Sequence, residues 1–329
     1  WRVQNSGGGT TSPESPLQGL IKSHNTTQAS MASNIGLCAI ADAAKEMGYH
    51  NAISNASDIY SANSFQPPMT IGTVQASPLT MANVYATMGA NGVECTPIAI
   101  TKVTDRSGSK VKVPSANCHQ AIDPDIAQTV SYALNQGVVQ PGGEASTTQL
   151  DNNRKTFAKT GTNENTVMTT AGFVPNQVAA FVAVADAQDP INNTFDNKTI
   201  NGVYRPSWYG MYIATPAWKQ FMNTYLAAIN APIDNDYGKG ADKYTVSKGA
   251  TRTYNQYQYQ RQQNSQQQSQ QQRRKPFRLY HCHEKSLFRR FRCARVAKAR
   301  NTEPTALYHI FARIDNRFPV AIPVSAQRL

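Results

Sequence analysis

The sequence has no long run of apolar residues and no recognisable export signal. None of its apolar stretches approaches the roughly 20 residues that a membrane-spanning helix needs, and it does not open with a basic segment followed by an apolar one. We therefore expect neither a transmembrane segment nor a signal peptide within these 329 residues. Because the chain starts at Trp1 rather than at methionine, we also expect it to be a fragment of a longer protein.

Charged residues are scarce, at 16% of the chain, while apolar residues make up 40%. Such a chain can bury a core, but its surface must rely on Asn, Gln, Ser and Thr, as in many exported proteins. Residues 1–250 hold 16 basic and 17 acidic side chains, whereas residues 251–329 hold 16 basic and 3 acidic ones. The formal net charge of +12 therefore belongs to the C-terminal region.

Composition divides the chain into three predicted parts. Residues 1–233 form a nearly neutral body with helix and strand patterns. Residues 234–272 are a polar, Gln-rich linker, which cannot bury enough apolar surface to offset chain entropy and is predicted to be disordered. Residues 273–329 are a basic tail without a sustained period, predicted to be disordered or out of frame and not to pack on the body.

Helix starts in the body are predicted where a capping residue precedes a proline, since proline suits the first helical position. Helices are expected over about 77–89, 123–135 and 215–229, and the capping residues are Ser77, Asp123 and Thr215. Runs at 156–160, 168–175 and 177–185 are rich in β-forming residues and predict three strands, and a hairpin is predicted around Asp105 to Lys110.

Two short motifs can carry chemistry. The first, S-x-N, is Ser23 to Asn25 between two predicted helices; the second, K-T-G, begins at Lys159 on a predicted strand. Each is weak by itself, because Ser23 can simply be a helix cap and Lys159 a solvated strand lysine. Their order, spacing and context distinguish them from chance matches.

That context resembles the penicillin-binding transpeptidases, most closely class A-like enzymes of actinobacterial type. The resemblance covers about residues 1–230. It rests on these segments, in this order: residues 1–5 with the Gly-rich stretch after them, LIKSHNT at Ser23, SPL with MANVYATMGANG from Ser77, the hairpin at Asp105, GVV before Gly142-Gly143, FAKTGT, and TPAWKQFM. The resemblance implies an α/β (α+β) fold with an antiparallel sheet flanked by helices, incomplete at its N-terminus.

The resemblance also implies roles for the motif residues. Ser23 corresponds to the proton-relay serine, Asn25 to the amide that orients substrate, and Lys159 supplies positive charge. The hydroxyls of Thr160 and Thr162 share one face of the strand and can bind a substrate carboxylate. Ser23 and Lys159 should therefore approach each other across one cleft.

The K-T-G strand should also accept a peptide along its edge. Gly161 lets another backbone come close, and the backbone N–H of Thr162 is the candidate oxyanion donor. His24, between the S-x-N residues, is not expected to act as a general base.

The family's nucleophile motif, S-x-x-K, is missing where the resemblance would place it. It should precede S-x-N, and none of the 22 residues before Ser23 fits. Two pairs have the spacing, Ser107 with Lys110 and Ser109 with Lys112, but a hairpin does not bring such residues side by side as a helix does. We therefore expect this fragment to be inactive alone, and whether it counts as an enzyme stays open.

Cys95 and Cys118 flank the predicted hairpin, and an extracytoplasmic protein could bridge them; two free thiols are the alternative. No metal site or cofactor is expected, since the spacing of His281, Cys282 and His283 with Cys293 fits no trusted zinc pattern. The Arg-rich tail lacks the signature of a specific nucleic-acid binder.

The resemblance implies D-alanyl-D-alanine transpeptidation through a serine acyl-enzyme, which cross-links peptidoglycan. Its partners would be peptidoglycan stem peptides and β-lactams, and the full-length parent would be membrane-anchored at the extracytoplasmic face. The alternative hypothesis is a catalytically inactive module whose basic tail binds anionic polymers.

Overall fold

A computed structural model describes residues 1–8, 13–52, 59–60, 65–186, 188–189, 192–241 and 244, and the backbone of 312–313. By its internal contacts the chain divides into one unit of residues 1–241 and 304–329 and another of residues 242–303, of which Tyr244 alone is described. Within this described part, no helix combines the length and apolar character needed to cross a membrane.

Six α-helices lie in the described part of the first unit: α1 Pro16–Ile21, α2 Asn25–Ile35, α3 Leu37–Glu46, α4 Pro78–Gly89, α5 Pro124–Val139 and α6 Gly210–Ala228. The predicted caps of α4 and α5 are confirmed: Ser77 accepts a hydrogen bond from the Thr80 N–H, and Asp123 accepts one from the Asp125 N–H. Two short 3-10 helices lie at Pro67–Ile71 and Ser146–Thr148.

The main sheet has four antiparallel strands in the order β10-β7-β6-β5. Its long strands match the three predicted runs: β5 Phe157–Asn163, β6 Val167–Val174 and β7 Val178–Ala185; β10 is Ala312–Arg313. The described residues also form three small strand pairs: β1 Val93–Glu94 with β4 His119–Gln120, β2 Val103–Thr104 with β3 Lys110–Val111, and β8 Lys198–Ile200 with β9 Val203–Arg205. The expected antiparallel sheet flanked by helices is confirmed.

The sheet is covered on both faces, by α6 on one side and by α4 and α5 on the other. Phe157 and Ala158 are both completely buried although successive strand residues point to opposite faces. Phe157 stacks on Phe173 with ring centroids 5.0 Å apart, beneath α4 and α5. Trp218 of α6 fills the opposite face. This packing holds β5 rigidly at the end of the sheet order.

The last helix starts earlier than predicted. α6 begins at Gly210, so Pro216 lies inside it. Thr215, the predicted cap, is buried, and its hydroxyl shares a 2.9 Å hydrogen bond with the hydroxyl of Thr170 on β6. A side chain held by the sheet in this way cannot cap a helix start, and so the helix extends by another turn and a half toward β5.

The body also extends past the predicted boundary at residue 233. Residues 234–241 pack on it: the buried Tyr237 lies edge-on to Phe157, and the Lys155 amine donates to the Tyr237 carbonyl at 2.6 Å. The sequence expectation placed these residues in a linker, since a single aromatic residue among polar ones gives no periodic signal.

Most of the predicted linker and basic tail lies outside the described residues. The exception is β10, in which Ala312 and Arg313 pair with Ala179 and Val178 of β7. At these two residues the structure differs from the expectation that the tail does not pack on the body. A free strand edge offers backbone donors and acceptors to any extended segment, whatever its side chains.

Candidate functional site

Ser23 and Lys159, which are 136 residues apart in sequence, meet in the structure. The Lys159 Nζ donates a hydrogen bond to Ser23 Oγ at 2.7 Å and another to the Thr160 carbonyl at 2.8 Å. Ser23 lies in the connection between α1 and α2, and Lys159 is the third residue of β5. The expected approach of the two side chains is confirmed.

Ser23 has an unusual backbone conformation, with φ at +55°. This left-handed region is costly for a residue that carries a Cβ and is uncommon outside glycine, asparagine and aspartate. The turn directs the Ser23 side chain toward β5 while its own N–H is held by the Leu20 carbonyl at 3.1 Å. Helix α2 then begins at Asn25 with no side-chain cap from His24, so a capping role does not account for the S-x-N motif.

Burial lowers the pKa of the Lys159 amine from its ordinary value to about 8, while the Glu144 carboxylate opposes the shift. An amine with this pKa exists in both protonation states near neutral pH, which suits a group that passes a proton to and from a hydroxyl. The protonated form also attracts a carboxylate.

Glu144, which no sequence pattern indicates, connects the two motifs through its backbone. Its N–H donates to the Ile21 carbonyl at 3.0 Å, and its carbonyl accepts the Thr160 hydroxyl at 3.1 Å. Glu144 thus fastens the end of α1 to β5 and places a negative charge near Lys159. Its position just after Gly142-Gly143 gives no signal of its own, because the contacts depend on the loop path.

The two threonine hydroxyls differ in what they can still bind. The Thr160 hydroxyl donates its one hydrogen to Glu144, whereas Thr162 Oγ1 accepts the Gly210 N–H at 3.0 Å and keeps its own hydrogen to donate. Both were expected to bind a carboxylate. In this arrangement Thr162 can do so directly, and Thr160 can do so only by giving up its bond to Glu144.

The free edge of β5 carries the oxyanion candidate. β5 ends the sheet order, with only β6 beside it among the described strands. The Thr160 carbonyl accepts the Lys159 amine, which indicates that it is turned away from β6. Residues two apart in an antiparallel strand turn their backbone groups to the same edge, so the Thr162 N–H faces this edge too. A Cβ on Gly161 would meet the Thr169 side chain, 2.3 Å from its Oγ1, and it is Gly210 whose Cβ would lie 2.3 Å from the Gly161 carbonyl oxygen.

Asn25 is oriented by the N-terminal segment. Its Nδ2 donates to the Gln4 carbonyl at 3.0 Å, and Asn5 Oδ1 accepts the N–H of the next residue, Thr26, at 3.0 Å. The Asn25 Oδ1 stays available as an acceptor, since no hydrogen bond joins it to the described residues. Asn25 thus lies two residues after Ser23, at the first position of α2, as the S-x-N spacing requires.

His24 is engaged elsewhere. Its Nδ1 lies 2.8 Å from Glu14 Oε1, and the Thr27 hydroxyl donates to the same carboxylate oxygen. Although desolvation opposes the change, the hydrogen bonds from Thr27 and His24 lower the pKa of Glu14. These contacts agree with a structural role for His24.

The two rejected serine–lysine pairs lie on an exposed turn. Asp105 Oδ1 accepts bonds from the Ser107 and Ser109 N–H groups at 2.8 and 2.9 Å. Neither serine hydroxyl bonds to a lysine in the described part of the chain. Both serines close the turn, so neither pair has the geometry of a nucleophile and its base.

Cys95 and Cys118 form a disulfide, with an S–S distance of 2.08 Å and Cα atoms 4.1 Å apart. Beside it, the Thr96 N–H donates to the Ala116 carbonyl at 2.7 Å, and Glu94 pairs in register with His119. The predicted bridge is confirmed in the structure and closes the base of the β2–β3 excursion. Among the residues the structure describes, no group of three or more His, Cys, Asp or Glu side chains is arranged to hold a metal ion.

Comparison with known proteins matches residues 1–220 to the family model of the penicillin binding protein transpeptidase domain. The chain is 30% identical over 167 residues to penicillin-binding protein 1A of Neisseria gonorrhoeae, covering 48% of the chain and 19% of the relative. It is 26% identical over 257 residues to penicillin-binding protein 1A of Clostridium botulinum, covering 73% and 28%. The chain thus spans 19% to 28% of the length of these two curated relatives.

Solved structures share the fold. PonA1 of Mycobacterium tuberculosis in complex with penicillin V superposes with a TM-score of 0.61 at 20% identity, over 73% of this chain and 62% of that chain. Penicillin-binding protein 1A of Haemophilus influenzae gives a TM-score of 0.57 at 21% identity, over 71% and 37%.

Proposed function

Because the chain belongs to the penicillin-binding protein transpeptidase family, we propose that Ser23, Asn25 and the edge of β5 form two walls of a D-alanyl-D-alanine acyl-transfer site. The observation that carries the proposal is the 2.7 Å hydrogen bond from Lys159 to Ser23, which brings the two motifs together. The substrates would be peptidoglycan stem peptides, with β-lactams as their mimics, at the extracytoplasmic face of the membrane.

The Ser23–Lys159 pair would move the proton that the reaction releases. In acyl transfer, a serine oxygen attacks the carbonyl carbon of the penultimate D-alanine and loses its proton, and the terminal D-alanine leaves after gaining one. Ser23 can donate its hydroxyl hydrogen to the leaving nitrogen while Lys159 replaces it, because Lys159 already donates to Ser23 Oγ. The pKa of Lys159 near 8 makes this exchange possible near neutral pH.

The β5 edge would bind the substrate. Protonated Lys159 and the Thr162 hydroxyl would hold the terminal carboxylate, while the Thr162 N–H would stabilise charge on the reacting carbonyl oxygen. Asn25 Oδ1 would accept a backbone N–H of the peptide. In this proposal neither serine–lysine pair with the required spacing is the attacking group, because Ser107 and Ser109 both close an exposed turn.

The proposal is tested by two measurements on the whole chain. Intact-mass spectrometry after incubation with penicillin V should show no covalent adduct, and a stoichiometric adduct would show that a nucleophile is present after all. Titration calorimetry with a peptide ending in D-alanyl-D-alanine should show binding that falls roughly tenfold or more in Lys159→Met, since a hydrogen bond to a charged group contributes about 1.5–3 kcal/mol. Lys102→Met, on the exposed β2 approach, is the matched control; equal affinities of the two variants would remove the site assignment.

A further inference from the structure

The β8–β9 hairpin carries two cations that have no acidic partner among the residues that the structure describes. Lys198 and Arg205 are register partners, so their side chains leave the same face of the hairpin. Like charges placed directly opposite each other destabilise a strand pair. Neither side chain forms a salt bridge with the residues that the structure describes.

The Arg205 guanidinium is fixed by aromatic rings rather than by acceptors. Its Cζ lies 4.0 Å from the ring centroid of Tyr212 and 5.3 Å from that of Trp208. Its Nε is buried with no hydrogen-bond partner, and the guanidinium donates to no acceptor in the described part of the chain. Trp208 is itself held, since its indole N–H donates to the Lys198 carbonyl at 3.0 Å.

A guanidinium held in this way is preorganised to bind an anion. Stacking on two rings removes the rotational freedom that an arginine normally loses on binding, and the fork of N–H donors matches the two oxygens of a carboxylate. Burying a polar donor without an acceptor costs free energy that a bound ligand recovers.

The position of this group ties it to the K-T-G strand. Trp208 and Tyr212 flank Gly210, whose N–H donates to Thr162 Oγ1 at 3.0 Å. The backbone at Gly210 also touches the Gly161 carbonyl closely enough that a Cβ would clash with it. The two residues whose rings hold Arg205 are therefore each two positions from Gly210, where α6 meets the K-T-G strand.

We propose that Arg205, supported by Lys198, binds a second carboxylate of the peptide substrate, carried by a side chain upstream of the D-alanyl-D-alanine end. This subsite rests on the proposed function, because the terminal carboxylate is assigned to β5. Arg205 would select stem peptides with a free side-chain carboxylate over those in which it is amidated.

The test compares three synthetic peptides that end in D-alanyl-D-alanine or its amide: one with both carboxylates free, one with the side-chain carboxylate amidated, and one with the terminal carboxylate amidated. Binding to the whole chain is followed by calorimetry. Amidating the side chain should weaken binding to the unaltered chain about tenfold, the effect of losing a charge-assisted bidentate contact. In Arg205→Gln that difference should vanish, and in Arg205→Lys it should shrink because the fork is lost.

Arg106→Gln, an exposed arginine on the β2–β3 turn, is the matched control and should keep the full discrimination. If the unaltered chain does not discriminate, or if Arg205→Gln discriminates as the unaltered chain does, the subsite is refuted. If Arg205→Gln does not fold, the peptide comparison on the unaltered chain and on Arg205→Lys still tests whether the subsite exists.

Failure of the proposed function gives a different pattern, in which amidating the terminal carboxylate does not change the affinity of the chain for the peptide.

A further experiment uses inorganic phosphate as a competitor of the peptide. If phosphate binds at Arg205 and displaces no peptide, the group is a general anion site and the peptide assignment is overturned.

Discussion

At the residue scale, Lys159 is the group on which the proposed chemistry depends most. Its amine contacts the Ser23 hydroxyl and the Thr160 carbonyl, and burial brings its pKa down to about 8. A lysine in an exposed strand would remain fully protonated near neutral pH and could not easily return a proton to a serine.

The affinity for a carboxylate-ended peptide should therefore depend on pH. Lys159 is charged below about pH 8 and neutral above it, so binding should be level below about pH 7 and fall by up to tenfold per pH unit above 8. Calorimetric titrations from pH 6 to 10 measure this profile. Lys159→Gln should give a flat and weaker one, and a flat profile in the unaltered chain would contradict the role given to the charge.

The stability of the folded chain should also depend on pH through Lys159. Because the folded pKa of Lys159 lies below its ordinary value of 10.5, the unfolded chain binds more protons between about pH 8 and 10.5. The contribution of Lys159 to stability should therefore rise with pH across that interval, and Lys159→Gln should remove this part of the slope.

Ser23 allows a separate test, because its backbone and its side chain have different requirements. Ser23→Ala and Ser23→Gly both remove the hydroxyl that Lys159 contacts, but only glycine adopts φ near +55° without steric cost. We expect Ser23→Gly to be more stable than Ser23→Ala by about 1 kcal/mol, measured by urea unfolding. Equal stabilities would argue against the left-handed turn.

At the element scale, the contact between α6 and β5 fixes the site. The helix starts at Gly210, where its first N–H meets Thr162, and its interior carries Trp218 into the core. The Cys95–Cys118 bridge plays a different part, since it closes the base of an exposed excursion. The site is thus positioned by packing, and the disulfide constrains a separate region.

Two glycine-to-alanine changes should have opposite effects. In Gly210→Ala the new Cβ would lie 2.3 Å from the Gly161 oxygen and 2.6 Å from the Thr169 oxygen, both backbone atoms, so α6 must shift at a cost of about 1–3 kcal/mol. In Gly137→Ala, inside α5, the nearest atom is 4.0 Å away, and the better helix former should stabilise by about 0.5–1 kcal/mol. Thermal unfolding measures both.

Gly210→Ala should also weaken peptide binding, because β5 would lose its fixed relation to α6. A variant that unfolds less readily than the unaltered chain, or that binds peptide unchanged, would mean that the close approach at Gly161 is not required.

At the scale of the whole molecule, the body is completed by a polar segment and touched by a remote strand. Residues 234–241 lie along α5 and β5, with the Gly238 N–H donating to Gln128 at 2.6 Å. β10 adds two register pairs to β7, whereas β6 and β7 share eight. The long strands and α6 therefore hold most of the fold.

Deleting residues 254–329 should leave the body folded. The loss of the two β10 register pairs should lower the free energy of unfolding by at most about 3 kcal/mol, since such a ladder shares about two backbone hydrogen bonds of ~0.5–1.5 kcal/mol each. The same deletion removes 15 of the 32 basic side chains and should weaken binding to anionic polymers, most clearly at low salt. Unfolding scans and polymer titrations check both; collapse of the body on truncation would make the tail part of the domain.

The sequence by itself determined the features that depend on near neighbours. Caps at Ser77 and Asp123, the three strand runs and the two cysteines around the hairpin are local patterns, and each predicted the correct element or pair. The motifs at Ser23 and Lys159 were also visible, because their order and context match a family.

Only the tertiary structure decided which groups meet. Thr215 looked like a cap but is held by Thr170, and Glu144 gave no signal yet takes the Thr160 hydroxyl. The aromatic stacking of Arg205 was equally invisible. These contacts join residues that are distant in sequence or depend on a loop path, and their energies come from packing that no local period encodes.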